Sequence, residues 1–91
     1  MKTEEGKLKD QVKKYLDEIG AYYFMPVQTG YGRTTLDFLV CIRGRFWAIE
    51  TKAPGKKPTP RQNAVMRAIE EAGGTTIWLD DFETIRKCLG R

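Results

Sequence analysis

The sequence predicts an α/β fold: a mixed β-sheet of about four strands flanked by helices, in the order α-β-β-β-α-β-α, forming one domain over residues 1–91. Three observations predict it. Leu8, Val12, Leu16 and Ile19 recur at helical spacing near the N-terminus. Two apolar, β-favouring runs, Leu36 to Ile42 and Arg45 to Lys52, flank a turn at Arg43-Gly44. Helix and strand patterns then alternate to the C-terminus, which calls for helices packed on the faces of a sheet. A chain of 91 residues supports one modest core.

The first helix is expected from Thr3 to Ile19, stopping at Gly20, with Glu4 and Glu5 in its first turn where negative charge complements the helix dipole. Ala21 to Val27 carries Tyr22, Tyr23 and Phe24 and ends near Pro26, which suits a short edge strand whose rings pack inward. Gln28 to Thr34 reads as a loop in which Gly30 and Gly32 surround Tyr31, followed by Arg33. It is either a simple connection or an element that brings Tyr31 and Arg33 against a nucleic-acid backbone or an unstacked base.

After the hairpin, Ala53 to Pro60 is stiff, basic and irregular, and Lys56 and Lys57 are either turn residues or phosphate contacts. Thr59-Pro60-Arg61-Gln62 has a helix-start pattern: an N-cap threonine, proline at the first helical position and a glutamine able to complete a capping box. Capping alone explains Gln62, and a role in a site is its rival explanation. The helix presents Ala64, Val65, Ala68, Ile69 and Ala72 as its apolar stripe and ends at Gly73-Gly74. Thr75 to Leu79 follows as a strand, and Asp80 or Asp81 caps a last helix that turns Phe82, Ile85 and Leu89 inward. Trp47 and Trp78 are expected in the core.

The hairpin carries the chemistry. With Arg43 and Gly44 as its two loop residues, Ile42 pairs with Arg45, Cys41 with Phe46, and Asp37 ends opposite Glu50. A type I′ turn wants positive φ at both loop positions, for which Arg43 is a poor residue; a three-residue loop would shift the pairing by one and part the two acids. Directly opposed side chains have Cβ atoms roughly 4.5–5.5 Å apart, so two facing carboxylates need positive charge between them. Lys52 projects from the same face as Glu50 and supplies some. Two carboxylates beside a backbone carbonyl are hard oxygen donors, suited to magnesium or manganese rather than zinc or copper. A lone Glu-x-Lys in a strand is usually a solvated face; the opposed aspartate gives the pattern its specificity.

Composition narrows the chemistry further. Histidine is absent, which excludes a histidine base and imidazole metal ligands. Sixteen basic against twelve acidic residues leave a charge of +4, weak support for a polyanionic partner. Cys41 and Cys88 have neither ligand spacing nor a disulfide pattern, which fits a reducing, intracellular setting. The longest apolar run, Phe38 to Ile42, is far too short for a membrane span, so a soluble protein with no membrane partner is expected.

Leu36-Asp37, a short hairpin and Glu50-Thr51-Lys52 resemble the signature of PD-(D/E)XK nucleases, with leucine in place of the signature proline. More closely, residues 32–38, 44–62 and 72–74 resemble the stand-alone VRR-NUC domains of phages and bacteria, over nearly the whole chain. The resemblance implies a restriction-endonuclease-like core and a Mg2+- or Mn2+-dependent endodeoxyribonuclease. In it Asp37, Glu50 and the Thr51 carbonyl bind metal, Lys52 is the catalytic lysine, Gln62 supports the site, and Glu5 reaches the metal with Glu4 as competitor. It further implies a homodimer in the cytoplasm of a bacterial or phage-infected cell, acting on branched or structured DNA such as a Holliday junction. A nicking or flap-type nuclease with the same site, and a catalytically silent DNA-binding module, are the alternatives.

Overall fold

The protein is described from a computed structural model that covers residues 2–27 and 34–90. Its elements are α1 (Glu4–Glu18), β1 (Tyr22–Phe24), β2 (Phe38–Ile42), β3 (Arg45–Thr51), α2 (Pro60–Glu71), β4 (Thr75–Leu79) and α3 (Phe82–Leu89). The four strands form one sheet in sequence order. β1, β2 and β3 are antiparallel, while β4 runs parallel to β3 after crossing over through α2. Each helix starts on a side-chain cap: Thr3 accepts from the Gly6 N–H, Thr59 from Gln62 and Asp81 from Thr84.

The hairpin has the expected register, from Ile42 opposite Arg45 to Phe38 opposite Ile49. The ladder ends there: Asp37 lies in the bend just before β2, while Glu50 is still within β3. Arg43 does adopt the left-handed conformation, with φ 51°, and Gly44 follows at 75°. The left-handed strain on one arginine is thus accepted, because the two-residue turn matches the twist of the strands. The Arg43 guanidinium also donates to the Leu89 carbonyl at the end of α3, which ties the turn to the last helix.

α1 and α3 cover one face of the sheet. Leu8, Val12 and Leu16 of α1 and Ile85 and Leu89 of α3 close over Phe38, Val40, Ile42, Trp47, Ile49 and Leu79. α2 covers the other face with a smaller cluster of Leu36, Ala48 and Met66, against which Leu39, Val65 and Ile69 pack. Among the described residues no helix is long and apolar enough to cross a membrane.

Three packing expectations need correction. Trp78 is 37% exposed rather than core, because Ile77 and Leu79 turn to the α1–α3 side and strand alternation sends the residue between them the other way. Tyr22 and Phe24 are exposed; only Tyr23 of that aromatic run packs inward, against Phe38. On α2, Met66 is the buried residue, while Ala64, Ala68 and Ala72 are exposed and line an open groove of about 710 Å³ with Phe46, Leu39 and Arg61. One helix cannot roof the whole of that face, so its apolar stripe is only half covered. Tyr31 and Arg33 lie outside the described residues.

Candidate active site

The end of the hairpin farthest from its turn gathers the acids. Asp37 occupies a bend just before β2, so strand alternation does not fix its side chain. Its Oδ2 accepts from the Thr51 N–H at 3.0 Å and from Thr51 Oγ1 at 2.7 Å, and Oδ1 faces Lys9 Nζ at 3.6 Å. Thr51 is fully buried at the end of β3 and therefore fixes the aspartate against a rigid element. The N–H and C=O of one strand residue face the same neighbour, so the Thr51 carbonyl also lies on the Asp37 side.

Glu50 is 3% exposed. Its Oε2 accepts from Gln62 Nε2 at 3.0 Å and stands 3.7 Å from Lys52 Nζ. The two explanations of Gln62 turn out to be compatible, because an amide has two ends. Its Oε1 accepts from the Thr59 N–H at 2.9 Å, completing the capping box, and its Nε2 reaches the acid. The start of α2 is thereby keyed to Glu50. Lys52 is held by its own backbone, whose N–H donates to the Leu79 carbonyl at 2.9 Å.

The first helix adds an acid and a cation. Glu5 pairs with Lys9 at 3.3 Å, and the same ammonium faces Asp37. Glu4 instead pairs with Lys7 at 3.5 Å and lines a separate surface pocket with Asp80 and Asp81. Of the two candidates, Glu5 is the one brought to the cluster. Lys9 was missed by sequence reasoning, since nothing local sets it apart from Lys7, Lys13 and Lys14 on the polar side of an amphipathic helix.

Electrostatics mark Glu50 as the unusual group. Burial pushes its carboxyl up to about 7; the Asp37 charge adds to the shift, Lys52 and the Asp37 backbone N–H oppose it, and Glu5 adds a little more. Burial works against the charge on Lys9, but Asp37 and Glu5 outweigh it and raise that pKa. Two lysines, Lys9 and Lys52, thus stand among three acids, Asp37, Glu50 and Glu5.

Among the described residues no three His, Cys, Asp or Glu side chains are gathered as a ligand set. Asp37 and Glu50 are close enough for the Asp37 charge and backbone N–H to act on the Glu50 carboxyl, and the Thr51 carbonyl is the backbone oxygen on the Asp37 side. Hard oxygens in a buried setting fit magnesium or manganese. Glu5 stands across the Lys9 ammonium from Asp37. Lys56 and Lys57 are exposed on the turn that leaves β3, where Lys56 N–H donates to the Ala53 carbonyl and Gly55 N–H to Asp80.

The sheet, its crossover and the flanking helices make this a restriction-endonuclease-like α/β fold. A solved structure described as a VRR_NUC domain superposes on it with a TM-score of 0.83 and 24% identity, covering 97% of this chain and 96% of that one. The fold is thus shared almost end to end with that domain. No family model matches the sequence, and no curated protein matches it.

Proposed function

We propose that the protein is a metal-dependent, structure-selective DNA endonuclease that hydrolyses phosphodiesters as a homodimer, with four-way junctions as its substrate. The observation that carries this reading is Glu50: a buried acid beside Lys52, clamped by Gln62 and electrostatically coupled to Asp37 across the hairpin. A purely structural role leaves such a pair of acids at one sheet end without a reason. Asp37, Glu50 and the Thr51 carbonyl hold Mg2+ or Mn2+ in this reading, and Glu5 completes the set. The bound ion would supply Lewis-acid charge for the phosphodiester and lower the pKa of the attacking water. Lys52 stabilises negative charge developing on the phosphate, and Gln62 keeps the Glu50 carboxylate aimed.

The half-roofed face beside α2, with Phe46, Tyr22 and Phe24 exposed, supports pairing with a second copy. A two-fold dimer presents two equivalent sites to two equivalent strands. In this reading Lys56 and Lys57 contact phosphates, together with Tyr31 and Arg33. Replacing both lysines by alanine is expected to lower the slope of log affinity against log salt by about 2, one counterion per lost contact. An unchanged slope discards them as contacts.

The deciding experiment incubates the protein with labelled four-way junctions, flaps, nicked duplex and plain duplex in Mg2+ or Mn2+. Paired symmetric incisions at junctions support the resolvase. Preference for flaps or single nicks selects the other nuclease geometry, and binding without cleavage in either metal leaves a silent DNA-binding module.

A further inference from the structure

Lys9 has no part in the reaction just described, yet it is the side chain that joins the first helix to the acids. Its ammonium lies 3.6 Å from Asp37 Oδ1 and 3.3 Å from Glu5 Oε2, the two carboxylates of the proposed metal set that Gln62 and Lys52 do not touch. We infer that Lys9 is a resident counter-cation, a positioning residue that holds Asp37 and Glu5 together before metal enters and is displaced when it does. The inference rests on the metal-binding reading above.

The two lysines of the cluster are built differently. The Lys52 side chain is 14% exposed and follows a strand bonded on into Leu79, whereas Lys9 is 32% exposed on a helix surface. Lys9 can therefore swing into solvent without disturbing the sheet, and Lys52 cannot. Glu5 and Lys9 are one helical turn apart on α1, so their pairing is local to that helix, whereas the Lys9–Asp37 contact joins α1 to the segment before β2. Two like charges on separate elements, α1 and the segment before β2, would otherwise push those elements apart in the metal-free chain. A cation carried by the chain keeps the acids assembled and lets metal replace it by exchange.

The test is calorimetric titration of Mn2+ into the full chain at pH 8 without DNA, comparing the unaltered protein with Lys9→Met, which keeps most of the apolar stem, and Lys9→Gln. Removing the competitor should tighten Mn2+ binding by roughly fivefold or more in whichever variant retains the native circular dichroism. The same variant should melt lower than the unaltered protein without metal and no lower with saturating Mn2+. Equal or weaker Mn2+ binding overturns the role of Lys9 while leaving the metal site standing. Absence of Mn2+ binding in both the unaltered chain and the variants overturns the metal site, and this inference with it.

Discussion

Asp37→Asn will cleave junction DNA at least about a hundredfold more slowly than the unaltered chain, the loss expected when a charged group that stabilises the transition state is neutralised. The substitution is chosen because it separates chemistry from folding. Asparagine keeps an oxygen that can accept from the Thr51 N–H or hydroxyl, so the bend before β2 stays anchored to the end of β3. It also removes a negative charge that disfavours ionisation of Glu50. The variant should therefore melt no lower than the unaltered protein at pH 8 without metal: the ion pair of Asp37 with Lys9 is lost, but so is the like-charge repulsion of Asp37 with Glu5 and Glu50 that Lys9 offsets. Junction binding should persist, because the proposed phosphate contacts are elsewhere. Cleavage within threefold of the unaltered rate would remove Asp37 from the active site, and a collapse of melting temperature would show that its charge is structural.

The parts of this molecule that local rules govern were legible in the sequence. Arg43-Gly44 sets the hairpin register through a two-residue turn, which carries the pairing out to Phe38 opposite Ile49 and so brings Asp37 and Glu50 to the same end of the hairpin, where Thr51 and Lys9 then fix the aspartate. Thr59 and Gln62 declare the start of α2 by their capping box. What was not legible depends on where elements meet. Lys9 differs from its neighbouring lysines only because α1 passes the end of the hairpin at that turn of helix. Gln62 reaches Glu50 only because α2 begins beside β3. Trp78, Tyr22 and Phe24 have core-like side chains, but their exposure follows from a sheet face that a single helix covers only in part. Composition cannot report how much of a face its partner helix roofs.

Without divalent metal, stability should fall as pH rises from 5 to 8, and Glu50→Gln should largely abolish that fall. The carboxyl titrates at about 7 in the folded chain against an ordinary value of 4.5. Between those values the folded protein holds a proton that the unfolded chain has released. Stability then decreases with pH across that window: the favourable contribution is complete below about 4.5 and lost by the time pH has passed 7. A gap of this size corresponds to about 3 kcal/mol at 1.36 kcal/mol per pH unit, enough to move the melting temperature of a small domain by on the order of ten degrees. Glutamine at position 50 can still accept from Gln62 and carries no charge to desolvate, which makes it the appropriate control. Adding Mg2+ to the unaltered protein at pH 8 should recover much of the loss, since a nearby cation favours the ionised acid. A flat profile in the unaltered chain, or an equal slope in Glu50→Gln, would show that burial of this acid is not what the site is working against. The expected result carries a broader consequence: the charge that Glu50 would need as a metal ligand is one the fold disfavours, so the metal-free protein loses this group's contribution to stability over the pH range in which the carboxylate forms.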